Sequence, residues 1–534
     1  MPDRKGPEDD AIVIRFGGGL NTRASEDEIN AREATDGQNF QVDAVNSAMR
    51  SRPPFDLVGT TPNAGSIDGF VSLLKSDGSV SLLVQSGTAV YELDSNYAFG
   101  SSLATVASGT KLRGRISHNW NLTDKVVITD VALQQQLMEW DGTTLQNITF
   151  TTEDGSTGWT GQFRARYCII DNERAVYSNI YDNGSAFPHL IVGSQRSDYS
   201  IVTVNQRPSS ALNDADPFFL IQPDMRYING MVNAFDTTIT SSRQGSLYKL
   251  TGSNAQDFAF HPMFPQSGVD GDEALTFIGN DIAYGRQGRI ESLRSSDTNF
   301  DVEQDDLSRL ISDEIESYND WVIVYNARTQ RVHCLSGTTG EDWVLHKPLL
   351  NSPLSSWMRW TTQHSSAFQP TAIMNAYDPS DSLEYIFFGD SSGNVYRMEG
   401  SGTSGDGGTT NISTKRVSAL FDADLGARMF QLTGWIRYRA ANEVTINFRI
   451  LSGGYEVFDQ TIQITLPATA AYPVYGGGYY YKAQNYYSQS LSARLRREKF
   501  ALPGGQNEFQ LEIEYDGKEA LNIQEVGLRF EKTT

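Results

Sequence analysis

The chain has 534 residues, with 43 Lys and Arg against 65 Asp and Glu, a formal net charge of −22 and a pI near 4.7. That length predicts two to four domains with large cores, and the acidity argues against specific nucleic-acid recognition, because gripping phosphate needs Lys and Arg to release counterions. Two cysteines far apart in sequence, no run of about 18 apolar residues and no signal-peptide pattern argue against a disulfide framework, a Cys-rich zinc site and a membrane segment, so a soluble chain made in a cytosol is expected.

Residues 1–12 are polar, with Pro2, Pro7 and several acids, and read as a loose arm. Next comes Gly17-Gly18-Gly19-Leu20-Asn21-Thr22-Arg23, then Ala34-Thr35-Asp36-Gly37-Gln38-Asn39-Phe40-Gln41-Val42-Asp43, then the basic pair Arg50 and Arg52. Taken singly, the glycines are a flexible turn and Asp36 a local cap. From there the chain is rich in Tyr, Phe, Val, Ile and Thr with apolar residues spaced by two, a β pattern broken by turns every 8–12 residues or so.

Phe70 to Leu93 is a meander of three short strands, turning at Asp77-Gly78 and Ser86-Gly87. Similar units run from Lys125 to Gly142 and from Leu383 to Met398. Between them lie Arg226-Tyr227-Ile228-Asn229-Gly230, Ser246 to Gly252, Leu275-Thr276-Phe277-Ile278-Gly279 and Gly288 to Leu293. Such meanders pack radially as propeller blades, with an array of β-sandwiches as the competing architecture. Asp305 to Tyr318 is the main helical candidate, carrying Leu307, Leu310, Ile311, Ile315 and Tyr318 at helical spacing, with Asp305 and Asp306 favouring its start and a strand following at Trp321 to Tyr325.

The Gly- and Ser-rich stretch Ser401 to Thr410 reads as a linker. Beyond it, Val444, Ile446, Phe448 and Ile450, and again Phe509, Leu511, Ile513 and Tyr515, alternate with polar residues as half-buried strands of a two-sheet sandwich. The expected fold is all-β: an N-terminal arm and first strands over 1–60, a β-propeller-like body over 61–400 and a C-terminal β-sandwich over 411–534.

No catalytic or cofactor motif stands out. The six histidines form no short-range ligand pair, and His333 beside Cys334 in a strand would point to the opposite face. Cys168 and Cys334 read as buried apolar fillers. The acids from Asp301 to Glu316 read as a helix start and a solvated face and not as a metal site. Thr152 to Trp159 resembles the Asp-box turn of glycan-cleaving propellers but is one residue short. No G-x-S-x-G elbow, P-loop or dinucleotide fingerprint occurs, and paired carboxylates could still meet in space. The expectation is no enzyme, no metal and no cofactor.

Two late segments suit contact with another protein. Tyr472, Tyr475, Tyr479, Tyr480, Tyr481, Tyr486 and Tyr487 surround Gly476 to Gly478, and Tyr on a Gly-rich loop supplies large amphipathic contact area at low entropy cost. Arg494-Leu495-Arg496-Arg497-Glu498-Lys499 is the densest basic run of an acidic chain and suits an acidic neighbour copy. Tyr475, Tyr479, Tyr480, Tyr481, Tyr486, Arg494, Arg496 and Arg497 are therefore the candidate contact residues. Their plainer readings are a strand edge of stacked aromatics and a solvated face with ordinary ion pairs.

The opening tracts, with their spacing to the basic pair and the order of the mid-chain elements, resemble a family of bacteriophage virion proteins, the tail nozzle or stopper-like tail tubular proteins. The resemblance implies a structural protein of the virion tail, made in the host cytoplasm, that forms a homo-oligomeric, hexameric ring. Such a ring extends the DNA channel below the portal and adaptor, meets tail fibres and retains the genome until ejection, DNA passing without specific binding. An acidic lumen wall would suit that passage. A host-glycan-binding tail tip or fibre module and a glycan-cleaving propeller are the alternative readings.

Overall fold

The computed structural model describes the chain apart from residues 1–10, 25–27, 44–47, 115–116, 121–122, 153–161, 203–215, 236, 254, 296–301, 337–339, 351–353, 362–369, 401–405, 408–409, 423–428, 441–443, 453–454, 457–461, 467–495, 504–507, 518–520 and 533–534. The expected loose arm over residues 1–12 therefore lies almost wholly outside the described residues.

Among the described residues, seven meanders follow one another from blade 1 to blade 7. Blade 1 holds Ile67–Leu74, Val80–Ser86, Ala89–Leu93 and Ala104–Thr105. Its first turn forms because the Asp77 carboxylate accepts from Ser79 N at 2.8 Å while Gly78 takes φ +82°. Blade 2 holds Leu112–Gly114, Ser117–Trp120, Thr123–Asp130, Met138–Trp140 and Leu145–Asn147, and Leu112–Gly114 also pairs in parallel with blade 1. Blade 3 begins at Arg164–Asp171, blade 4 at Ile228–Ala234, blade 5 at Leu275–Phe277, blade 6 at Trp321–Asn326 and blade 7 at Ala372–Tyr377. Each blade's inner strands touch those of the next, and Ala372–Tyr377 touches Ile67–Leu74, so the ring closes. This is a β-propeller-like body.

The closure uses a strand from the other end of the sequence. Asp56–Thr60 is the outermost strand of blade 7, with Leu57 opposite Tyr396 and Asp56 opposite Arg397. Arg397 then pairs with Asp56 at 3.1 Å and with Asp378 at 2.9 Å, and Tyr97 of the blade 1 region donates its hydroxyl to Asp378 at 2.9 Å. The seam between last and first blades is thus locked by charge as well as by packing.

The remaining strands form two sheets. In the first, Leu521–Lys532 pairs with Ala11–Arg15, Ala48–Ser51 and Met429–Ala440, and Arg496–Pro503 ends the sheet beyond Met429–Ala440. In the second, Ala34–Gln38, Ile412–Ser418, Glu508–Gly517 and Val444–Ser452 lie in that order. Ile436, Tyr438, Ile523 and Val526 from one sheet and Ile446, Phe448, Ile513 and Tyr515 from the other enter one core, giving a two-sheet sandwich that takes strands from residues 11–51 as well as from the expected 411–534. That core continues without a break into blades 5, 6 and 7 through Ile14, Phe16, Leu20, Trp321, Trp343, Trp357 and Trp360.

The predicted helix over Asp305 to Tyr318 is not formed as a long element. Asp305 and Asp306 close the last strand of blade 5, Val302–Asp306, and the Asp306 carboxylate then accepts from Ser308 N at 3.0 Å. Only the 3-10 turn Arg309–Ile311 and the single α-turn Ser312–Ile315 follow. Ile311 and Ile315 are fully buried, so the apolar spacing serves one turn pressed against blade 6.

Candidate functional site

The segment from Gly17 to Arg52 contributes the strands Ala34–Gln38 and Ala48–Ser51 to the sandwich sheets and lies against the outer strand of blade 6, Trp357–Trp360. Gly19 N donates to Ser355 O at 2.7 Å and Leu20 N to Trp357 O at 2.7 Å. A Cβ on Gly19 would stand 2.0 Å from Trp357 O, so only glycine permits this approach. Asn21 donates to Glu33 at 3.0 Å, and Thr22 N reaches Leu310 O at 2.9 Å. From the sandwich, the buried Arg416 guanidinium donates to Gly18 O at 3.1 Å and Arg32 O at 2.7 Å, sandwiched between the Phe16 and Phe40 rings. Burial pulls its pKa down to about 9, with Glu33 opposing, so it stays charged at neutral pH.

Asn39 is the hub of this joint. It takes the left-handed conformation, φ 55°, which Asn tolerates better than most residues. Its side-chain oxygen accepts from Arg52 Nε at 3.0 Å and Thr361 N at 2.7 Å, while its amide donates to Ser413 O at 2.8 Å. Arg52 goes on to donate to Pro53 O and Thr361 O, both at 2.9 Å, and packs over Phe55. Both its terminal nitrogens engage Asp406, one at 2.8 Å, and both side chains are wholly buried. Asp36 bridges the same two bodies, pairing with Arg359 of blade 6 at 2.8 Å and Lys415 of the sandwich at 3.1 Å. Burial opposes its ionisation, but Lys415 and Arg359 hold its carboxyl below the usual range.

Next to the joint lies a second charged cluster. His333 Nδ1 meets Asp342 at 2.7 Å, and its Nε2 lies 3.6 Å from Glu399, too far for a good hydrogen bond but close for an ion pair. Arg331 reaches Glu399 at 2.5 Å. Burial alone would lower the His333 pKa, yet Asp342 and Glu399 together push it up to about 9. Glu399, for which burial works the other way, is held at about 2 by His333 and Arg331. As expected from strand geometry, Cys334 points away from this cluster into the core.

The propeller axis carries a cavity of about 600 Å³ lined from all seven blades. Two ion pairs cross it: Arg113 of blade 2 grips Glu273 through Nε at 2.5 Å and Nη2 at 3.2 Å, and Arg166 of blade 3 meets Asp272 at 2.6 Å. Asp272 and Glu273 lie just before the first strand of blade 5, so the Arg113 pair spans the ring from blade 2 to blade 5 and the Arg166 pair reaches over blade 4 from blade 3. Tyr167 donates its hydroxyl to Asp272 O at 3.0 Å. Burial raises the Asp272 pKa and Glu273 adds to this, against Arg166. Asn233 and Asn375, on inner strands, each donate an amide to the backbone of the preceding blade, at Ile170 O and Tyr325 O. The volume falls in the range of small-molecule sites and is far too small for a DNA duplex.

No protein-family model matches the chain, and no curated protein matches it. Among solved structures, a chain from the crystal structure of BBS1N in complex with ARL6DN, soaked with lead, is similar with a TM-score of 0.40 and 11% identity, over 66% of this chain and 98% of that one. The computationally designed Ika8 protein gives 0.35 and 10%, over 65% and 99%. A chain of the mitotic checkpoint complex gives 0.38 and 10%, over 65% and 93%. The architecture itself is carried by the closed ring of blades.

Of the expected contact residues, Tyr475, Tyr479, Tyr480, Tyr481, Tyr486 and Arg494 lie outside the described residues, as does most of the Thr152 to Trp159 turn. Arg496 and Arg497 open Arg496–Pro503, a strand at the end of its sheet among the described residues, with Arg497 opposite Arg437. An end strand offers backbone groups for pairing with another chain. Cys334 is fully buried, whereas Cys168 is only partly so and lines the axial cavity. Among the described residues, no three His, Cys, Asp or Glu side chains gather as a metal site, and no helix is long and apolar enough to cross a membrane.

Proposed function

We propose that the chain is a structural component of a bacteriophage tail, a homo-oligomeric nozzle ring that extends the DNA channel below the portal and adaptor and retains the genome until ejection. The observation that supports this is the use made of the residues behind the family resemblance. Gly18, Gly19, Asp36, Asn39 and Arg52 spend their polar groups or small size on fastening propeller to sandwich, and Asn21 ties Glu33 within the same segment. A ring subunit needs such a rigid two-body frame, because a heterologous ring closes only if the angle between its two contact faces is fixed.

The axial cavity of one chain cannot be the DNA channel on this reading. The lumen would be the space enclosed by several copies, and a net charge of −22 suits a wall to which phosphate does not adhere. The Tyr-rich segment and the basic run from Arg494 to Arg497 supply one of the two ring faces. The role calls for no catalysis, metal or cofactor.

The test is the mass of the full-length protein in solution, alone and mixed with a candidate tail adaptor, followed by electron microscopy of any particle. A closed ring, alone or on the adaptor, supports the proposal. A persistent monomer that ignores the adaptor and instead retains or trims host glycans would replace it with the receptor-binding or enzymatic alternative.

A further inference from the structure

The chain holds two Asn-Gly pairs, Asn183-Gly184 and Asn229-Gly230, and the fold treats them in opposite ways. Asn followed by Gly is the pair most open to self-reaction, because the side-chain carbonyl carbon and the next backbone nitrogen close a five-membered ring and glycine puts no Cβ in the way. Asn229 is fully buried on the first strand of blade 4, Ile228–Ala234, and its amide donates to Val269 O at 2.6 Å. Gly230 is buried in the same strand, paired with Ser241, and a Cβ there would stand 3.1 Å from the Leu275 side chain. That pair cannot close on itself unless the blade opens.

Asn183 and Gly184 are instead the two-residue loop of the blade 3 hairpin between Arg174–Asp182 and Ser185–Gly193, which the pair Asp182 and Ser185 closes. Their φ values, 44° and 86°, are those of a type I′ turn, for which Asn-Gly is a preferred sequence. Both residues are exposed, and a Cβ on Gly184 would meet nothing within 4 Å. Among the described residues, neither the Asn183 side-chain amide nor Gly184 N has a hydrogen-bond partner. Electrophile and nucleophile are therefore adjacent, solvated and unheld, at a tip that frays with only the end of the ladder at stake.

We propose that Asn183 is a self-modification site of the folded protein, which converts with time to aspartate and isoaspartate. Gly184 N gives its proton to solvent base and bonds to Asn183 Cγ; the Cγ–Nδ2 bond breaks, and the leaving nitrogen takes a proton from water and departs as ammonia. Water then opens the succinimide, at Cγ to give aspartate or at the backbone carbonyl carbon to give isoaspartate. Either product adds a negative charge, and isoaspartate also lengthens the loop backbone by one carbon, which a two-residue turn in fixed register cannot absorb unchanged. The inference does not depend on the ring reading, since the reaction lies within a single chain.

The experiment keeps the full-length protein warm near neutral pH for some weeks, folded in one sample and in urea in another, and then digests both with trypsin. Cleavage releases residues 175–196 with Asn183 and residues 227–243 with Asn229. Fragment masses place each conversion, and labelling by an isoaspartyl methyltransferase counts the isoaspartate. In the folded sample Asn183 should convert at least tenfold faster than Asn229, and in urea the two rates should converge. In Gly184→Ala the Asn183 rate should fall tenfold or more. Equal rates at the two sites in folded protein, conversion of Asn183 only in urea, or an undiminished rate in Gly184→Ala would overturn the proposal.

Discussion

The Arg52–Asp406 pair invites a double-mutant cycle. Both side chains are at 0% exposure, and 354 residues separate them in sequence, so the pair is a tertiary staple between the end of the Gly17–Arg52 segment and the chain leaving blade 7. In Arg52→Met the Asp406 carboxylate stays buried with Phe55 N as its remaining described donor, at 3.0 Å. In Asp406→Leu the guanidinium keeps Asn39, Pro53 O and Thr361 O but loses its counter-charge. Removing one member of a buried pair costs about 3–5 kcal/mol. Replacing both by apolar residues of similar size is often close to neutral, so the double variant should lie far below the sum of the singles, with a coupling of roughly 2 kcal/mol or more. Urea unfolding followed by tryptophan emission reads this, because Trp357 and Trp360 border the joint and Trp360 Nε1 donates to Phe40 O at 3.0 Å. Single variants that each cost under about 1 kcal/mol, or costs that simply add, would refute the view that this pair fastens the two bodies.

Gly19→Ala should destabilise by at least the roughly 1–3 kcal/mol of an overpacked site, while Gly100→Ala, where a Cβ meets nothing within 4 Å, should leave the melting temperature unchanged. The His333 cluster sets limits on both sides of pH. His333 rises from 6.5 to about 9, so its contribution is complete below 6.5 and is lost as pH climbs through 9; Glu399 falls from 4.5 to about 2, so its contribution is present above 4.5 and is lost as pH drops towards 2. His333→Gln should flatten the alkaline limb of a melting-temperature profile, and an unchanged limb would refute the assignment. Replacing Tyr479, Tyr480 and Tyr481 together by Ser should lower ring yield in sizing chromatography with little change in melting temperature; equal loss of both would make the segment part of the core instead.

The blades were legible where turn chemistry is local. Asp77-Gly78 between two apolar runs specifies its own reversal, and the strands Val80–Ser86 and Ala89–Leu93 follow from it. Alternation in Val444, Ile446 and Phe448 marked the buried face correctly, all three being at most 5% exposed. The helix over Asp305 to Tyr318 misled because spacing of three and four cannot distinguish a long helix from one turn that buries Ile311 and Ile315 in the core they share with Trp321. The joint was visible as a pattern but not as a mechanism, since Asn39 finds its partners at Thr361 and Ser413. The axial cavity left only a faint trace, the adjacent acids Asp272 and Glu273 before a short strand, because their arginines lie 106 and 160 residues away.

The strand Asp56–Thr60 waits in blade 7 for partners some 340 residues later, and Ala11–Arg15 waits longer still for Leu521–Lys532. The propeller therefore cannot close until Asn394–Arg397 has been made, and the sandwich must wait for Leu521–Lys532. Until Leu521–Lys532 emerges, Ala11–Arg15 and Ala48–Ser51 lack their partner strand, and pairings this distant in sequence form slowly. A chain truncated near its C-terminus should lose order at its N-terminus as well, and production of the intact protein should gain from slower synthesis or lower temperature, which leave fewer unfinished chains to pair with one another.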